Sequence, residues 1–264
     1  MPRFSANLSM LFTEHDFLDR FDAAAGAGFE GVEYIAPYDH GPETIAARLA
    51  QNGLVQVLFN LPPGDWAGGE RGIAVLPDRM EEFRAGVETA ISYAKALGCG
   101  QVNCLSGIAP AGVEGDVLEK VFVENLRFAA EKLKAAGIKL LIEPINTRDI
   151  PGFFLTNTRQ ALDVIGRVGS DNLYLQYDIY HMQVMEGDLA RTIEENLGRI
   201  AHIQLADNPG RHEPGTGEIN YRFLYGHLDR IGYSGWVGAE YKPKAGTVDG
   251  LGWFREIAGK KSAA

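Results

Sequence analysis

The chain has 264 residues, 45% of them hydrophobic and 23% charged, which is enough apolar material for a large buried core and too much for a disordered chain. Twenty-five Lys and Arg against 35 Asp and Glu give a formal charge of −10, which argues against a nucleic-acid or anionic-membrane surface while leaving room for a local basic pocket. Its two cysteines, Cys99 and Cys104, fall in what reads as a turn and strand, where extended geometry holds them too far apart for a bridge; a disulfide scaffold is excluded and a reducing compartment fits.

In chain order, the N-terminus meets Glu14 and Asp16 before any apolar signal-type region forms, and no run approaches the ~18 apolar residues of a membrane span, so a cytoplasmic protein is expected. Short β-like runs then alternate with amphipathic stretches from end to end. Strands are predicted over Arg3–Leu8, Gly31–Ile35, Leu54–Asn60, Gln101–Leu105, Ile138–Glu143, Asn172–Asp178, Ala201–Asp207 and Trp236–Tyr241. Helices are predicted over Asp16–Ala27, Met80–Leu97, Val117–Ala136, Thr158–Val168, Asp188–Leu197 and Tyr221–Ile231, with Asn157 and Asp188 as N-caps. Eight βα units in about 250 residues is the expectation for one (β/α)8 barrel domain spanning residues 1–264. The first strand ends in Asn7-Leu8-Ser9-Met10, without the Gly-rich phosphate loop of a doubly wound sheet.

Polar residues stand at or near the ends of the last four strands: Glu143, Asp178, Gln204 and Glu240. The alternating positions, Leu140, Ile142, Leu175, Tyr177, Ile203, Leu205, Val237 and Ala239, are apolar and suit the helix-facing side, so the polar four face the barrel mouth, where barrel enzymes place their chemistry. One strand-end carboxylate is as easily a solvated or capping residue; four polar ends together are not. Three crowded carboxylates repel one another and protonate unless a cation neutralises them. An all-oxygen donor set points to a hard divalent ion, Mg2+ or Mn2+.

Other segments gather around this mouth. His181 lies three residues beyond Asp178 and reads as a substrate contact, whereas His202, on the same strand face as Gln204, reads as deeper barrel filling and His15, His40 and His227 as surface. The Pro- and Gly-rich loop after strand seven carries Arg211 and His212 over the mouth, and Lys242 follows Glu240; these donors suit an anionic substrate, unless Arg211 merely pairs with Glu213 or Asp207. Between strand three and the next helix, residues 61–72 read as a lid bearing Trp66, or equally as a static loop that Trp66 anchors. Met10, Met80, Met182 and Met185 read as core filling.

Six segments carry a family resemblance: Arg3 to Phe12, Asn60 to Trp66, Ile142-Glu143-Pro144-Ile145-Asn146, Gln176 to Met182, the loop from Arg211 to Tyr221, and Gly238 to Pro243. Together these resemble the bacterial hydroxypyruvate isomerase family, one of the xylose-isomerase-like barrels, across essentially the whole chain. The resemblance implies a (β/α)8 fold, a divalent metal held by Glu143, Asp178, Gln204 and Glu240, and acid–base roles for Glu143 and Glu240. It also implies a small anionic hydroxy-oxo acid as substrate, contacted by His181 and Arg211, with Lys242, Asn60 and Trp66 as further candidates. The 2-oxo-tetronate isomerases are similar as well, sharing the segment Glu218-Ile219-Asn220-Tyr221; a ketose 3-epimerase and a non-catalytic metal-binding barrel are further alternatives, and a metal-dependent nuclease of the same superfamily is disfavoured by the charge of −10 and the lack of a basic stripe. A homo-oligomer is compatible with the sequence; a nucleic-acid or membrane partner is not expected.

Overall fold

Eight parallel strands close into a barrel in sequence order: β1 (Arg3–Asn7), β2 (Gly31–Glu33), β3 (Val55–Asn60), β4 (Gln101–Cys104), β5 (Lys139–Ile142), β6 (Leu173–Asp178), β7 (Ile200–Leu205) and β8 (Trp236–Ala239). The structure is a computed structural model and describes residues 2–261. β8 returns to β1 through Phe4 opposite Val237 and Ala6 opposite Ala239, which closes the ring. The register sets Asp178 opposite Gln204 and Gln204 opposite Gly238, so the site residues of β6 and β7 share one level of the interior.

The helices are α1 (Arg20–Gly26), α2 (Pro42–Asn52), α3 (Met80–Leu97), α4 (Gly115–Ala135), α5 (Thr158–Val168), α6 (Ile179–Met185), α7 (Leu189–Glu195), α8 (Tyr221–Arg230) and α9 (Gly252–Lys261). In α3 the buried residues Phe83, Val87, Ala90, Ile91, Ala94 and Leu97 recur at helical spacing and form one stripe against the sheet. The Asn157 side chain accepts from Gln160 N at 2.9 Å and caps α5, as predicted. Asp188 does precede α7, but it sits in left-handed backbone (φ 46°) and makes no side-chain cap; the residue that caps its own helix here is Asp178, which accepts from Tyr180 N at the start of α6. The first predicted helix is a 3-10 turn (Phe17–Asp19) running into α1.

The eight apolar positions that alternate with the polar strand ends all lie in the main core between sheet and helices. A smaller cluster of Val57, Leu58 and Leu141, with Tyr174 and Trp236 against it, lies apart from that core. Leu141 shares its strand face with Glu143, and Tyr174 with Asp178, so this cluster plugs the barrel interior below the polar layer.

Candidate active site

Glu143 directly follows β5, Asp178 ends β6 and Glu240 directly follows β8, and all three turn into the mouth of the barrel. Glu143 accepts from Asn103 Nδ2 at 3.1 Å. Asp178 Oδ1 is used by α6, accepting from Tyr180 N (2.7 Å) and His181 N (3.3 Å), while its Oδ2 is buried with no partner. Glu240 is the most tightly held: Asn7 Nδ2 (2.8 Å) and Gln204 Nε2 (2.6 Å) donate to its Oε2, and Arg211 Nη2 (2.8 Å) to its Oε1. Burial raises the pKa of all three, and the neighbouring carboxylates add to the shift. Glu143 is pushed well above the usual carboxylate range by burial and by Glu240 and Asp178. Burial, only partly offset by Arg211, pushes Glu240 up to about 8 and Asp178 up to about 6.

Arg211 has a structural pairing, but not the sequence-local one. Its guanidinium takes Asp149 Oδ2 at 3.2 Å and Glu240 Oε1 at 2.8 Å rather than Glu213 or Asp207. Asp207 instead ties its own loop, accepting from the backbone N–H groups of Gly215, Gly217 and Ile219.

The proton position on His181 follows from its neighbours. Asn146 Oδ1 accepts two backbone N–H groups, from Arg148 (3.0 Å) and Asp149 (2.8 Å), so the Asn146 amide nitrogen faces His181 Nδ1 at 2.6 Å. Nδ1 is therefore the acceptor and Nε2 carries the hydrogen. Burial, with Arg211 adding to it, pushes the His181 pKa well below its ordinary value, so the ring is neutral. Its Nε2–H faces the acid cluster, 3.9 Å from Glu143 Oε1 and 3.6 Å from Asp178 Oδ2, with Arg211 Nη2 at 3.4 Å.

Under the site lies a tier that the sequence reading missed. Glu33 on β2 is fully buried, with Oε2 2.8 Å from His202 Nε2 and 2.8 Å from Ser5 Oγ, and Oε1 2.8 Å from Gln204 Nε2. Burial pushes its carboxyl up, but His202, Gln204 and Ser5 together hold it below the ordinary value. Space for it exists because β8 has Gly238 there; a Cβ at Gly238 would lie 2.5 Å from Glu33 Cδ. Gln204 thus presents its N–H groups to Glu33 and Glu240, while its oxygen takes Gln176 Nε2 at 2.7 Å.

A cavity of about 480 Å3 opens above these groups. Asn60, Trp66, His181, Gln204, Arg211 and Lys242 all line it with Glu143 and Glu240, so the predicted site residues converge on one mouth, with Asp178 fully buried beside them. Asn60 accepts from Asn103 Nδ2 at 3.1 Å, while Trp66 and Lys242 are exposed at the rim. Arg71, Asn7 and Asp149 also line the cavity.

The family model described as Xylose isomerase-like TIM barrel matches residues 21–257. The chain belongs to the xylose isomerase-like TIM barrel family. It is 57% identical over 254 residues to hydroxypyruvate isomerase of Escherichia coli K12, covering 96% of this chain and 98% of that one. It is 48% identical over 260 residues to 2-oxo-tetronate isomerase of Cupriavidus necator, covering 98% and 100%. A crystal structure described as AP endonuclease, family 2, from Brucella melitensis superposes with a TM-score of 0.95 at 49% identity, covering 97% of this chain and 99% of that one. The protein is an isomerase of this family.

Within this xylose isomerase-like barrel, Glu143, Asp178 and His181 bring candidate ligand atoms within 4.8 Å of one another. Two buried carboxylates and the part-buried Glu240, all with raised pKa values, and the orphaned Asp178 Oδ2 fit a divalent cation. The proton on His181 Nε2 turns that atom into a donor, which leaves the oxygen groups as the fitting donor set.

The residues the sequence reading missed share a cause. Glu33 and Asn7 sit on strands one and two, whose ends show no isolated polar residue after an apolar run, and only the closed register brings them beside Gln204 and Glu240. His227 is not surface: it is buried on α8 and faces Ala190 O at 2.9 Å. His40 is half-buried and stacked on Phe17, and Met10 lines the cavity rather than the core. His202 is the interior residue expected, with Glu33 beside it.

Proposed function

We propose that this isomerase interconverts hydroxypyruvate and 2-hydroxy-3-oxopropanoate (tartronate semialdehyde). The observation that carries the reading is the pair of carboxylates, buried Glu143 and part-buried Glu240, that face one cavity with pKa values raised by desolvation, as suits groups that exchange a proton with carbon. The 57% identity to the Escherichia coli enzyme supports the three-carbon substrate. Glu143, Asp178 and Glu240 are the residues that would hold Mg2+ or Mn2+; Gln204, the fourth candidate, presents its NH2 to Glu240 and its oxygen to Gln176, so it would join them only after its amide turned over. When bound, such an ion polarises substrate oxygens as a Lewis acid and offsets the carboxylate charge.

The residues divide the work by position. One of the two glutamates takes a proton from C3 of hydroxypyruvate, leaving the enediolate; the proton returns at C2, and the C3 hydroxyl proton moves to the C2 oxygen. Atoms balance and no redox partner is needed. The His181 Nε2–H donates to an oxygen on which charge develops, in a site that Asn146 has already oriented. Arg211, Asn7 and Gln204 fix the Glu240 carboxylate so that little reorganisation precedes transfer. Residues 61–72 shield the mouth, and the protein works in a reducing cytoplasm, where the free, buried Cys99 and Cys104 remain thiols.

Solvent-deuterium incorporation and product analysis on hydroxypyruvate, 2-oxo-tetronate and a neutral ketose, with and without a chelator, test this reading. Exchange into hydroxypyruvate that the chelator abolishes is the expected result. Preferential exchange into 2-oxo-tetronate moves the assignment to the four-carbon acid, and exchange into the ketose alone to an epimerase. Metal-dependent stabilisation without exchange into any of them leaves a metal-binding barrel without this activity.

A further inference from the structure

An acid entering this cavity meets carboxylates on its walls, from Glu143, Asp149 and Glu240, with Asp178 beside them. The conspicuous counter-charge, Arg211, is already committed. One carboxylate occupies each Nη, and its Nε is sealed from solvent without a partner, so it offers the substrate no open two-pronged fork. Its task in this arrangement is to hold Glu240 and Asp149.

Two other cations line the same cavity. Arg71 lies in the loop after β3, its guanidinium 4.0 Å from the centroid of the Trp66 ring, with Nη1 donating to the carbonyl oxygens of Trp66 (3.1 Å) and Glu70 (2.6 Å). Those contacts hold the side chain in place, and Nη2 and Nε have no hydrogen-bond partner among the described residues. The loop itself is pinned: Gly72 has φ 103°, its N–H donates to Pro63 O at 2.8 Å, and a Cβ there would lie 2.7 Å from the Leu105 carbonyl carbon. Lys242 stands on the loop after β8. Its backbone is tied by Lys242 N to Arg211 O (2.8 Å) and by His212 Nδ1 against Lys242 O (2.7 Å), while its ammonium has no ion pair among the described residues. Arg71 is therefore a pre-positioned donor, and Lys242 a cation whose backbone is anchored and whose ammonium is free to reach an anion, both on the cavity an incoming acid enters.

We propose that Arg71 and Lys242, rather than Arg211, receive the substrate's carboxylate at the rim of the cavity. The acid is then oriented with its carboxylate outward and its reacting carbons inward, toward Glu143 and Glu240. The inference rests on the substrate being a small oxo acid, as proposed above, and it assigns the selection of an acid over a neutral sugar to two loop residues.

The test compares two ligands that cannot isomerise and differ only in the group at issue, glycerate and glycerol, by calorimetric titration of the full chain in magnesium-containing buffer. Wild type is expected to prefer glycerate. Arg71→Met and Lys242→Met, which keep the apolar stems, are expected to weaken glycerate about tenfold and about threefold, as loss of charge-assisted contacts predicts, with glycerol unchanged; the double variant loses the preference. A double variant that still prefers glycerate overturns the assignment. An equal loss for both ligands also overturns it, because the residues then act only on loop structure. A wild type with no preference for glycerate refutes the anionic-substrate reading itself, and this assignment with it.

Discussion

Substitution of Glu33 by Gln tests whether the buried tier beneath the site has the energetic weight its geometry implies. Glu33 gathers four polar groups: Ser5 Oγ at 2.8 Å and His202 Nε2 at 2.8 Å on one oxygen, Gln204 Nε2 at 2.8 Å and Asn7 Nδ2 at 3.4 Å on the other. Glutamine is nearly isosteric but offers one acceptor oxygen, so two of the four contacts meet an NH2 group instead. At about 1.5–3 kcal/mol for a hydrogen bond to a charged group, two losses come to roughly 3–6 kcal/mol. Urea denaturation at pH 7 is therefore expected to show a loss of about 4 kcal/mol. The acid limb gives an independent reading, because the Glu33 carboxyl is held below the ordinary 4.5 by His202, Gln204 and Ser5 against the opposing effect of burial. Its contribution is present above pH 4.5 and is lost as pH falls below it, so the gap between variant and wild type narrows in acid. A variant within about 1 kcal/mol of wild type at pH 7, or a gap that widens in acid, refutes the reasoning.

Glu143→Gln and Glu240→Gln are each expected to lower turnover at least ~10²-fold with the fold intact by circular dichroism; near-normal activity in either removes that residue from proton transfer. Asn146→Ala releases His181 Nδ1 and the tautomer it fixes, and is expected to lower kcat about 10–100-fold with little change in KM, measured by steady-state kinetics; a loss confined to KM points to binding instead. In protein stripped of divalent ions, Glu240 (about 8) and Asp178 (about 6) keep protons that the unfolded chain has already released. Their contribution to stability is then full below the unfolded values and falls as pH climbs through 6 and 8. Melts at pH 5 and pH 8.5 are expected to show that decline and its reversal by Mn2+, and a flat profile would show that the protein alone compensates these carboxylates.

The fold was legible because a barrel repeats one signal eight times. All eight predicted strands are present, with ends displaced by a residue or two, as between the predicted Ile138–Glu143 and β5 at Lys139–Ile142. The helix Pro42–Asn52 went unread although Pro42 at its first turn and Gly53 (φ 62°) at its end are ordinary boundary signals, and α6 is too short for a periodic stripe to show. Glu143, Asp178, Gln204 and Glu240 were visible because each interrupts or ends an apolar run. Glu33 was not, because Gly31-Val32-Glu33 gives no run to interrupt, and its meaning comes from Gly238, more than two hundred residues away. The partners of Arg211 were also hidden: Asp149 and Glu240 come from other βα units, and sequence proximity favoured the wrong acids.

Gly72 has a consequence for how this barrel changes over evolutionary or laboratory time. The candidate acid–base glutamates and the tier beneath them grow from strands whose register is locked around the whole ring, so altering any one disturbs several others. The loop carrying Trp66 and Arg71 is closed by its own contacts, Gly72 N–H to Pro63 O and Glu70 to Arg79, and passes the residue after β4 at Gly72 too closely for a side chain there. Exchanging residues 61–71 while keeping Gly72 is expected to change what the mouth admits and to leave Glu143, Asp178 and Glu240 where they are. Substrate range and reaction type are thus separately adjustable, and libraries confined to that loop are the place to look for new substrates of the same proton transfer.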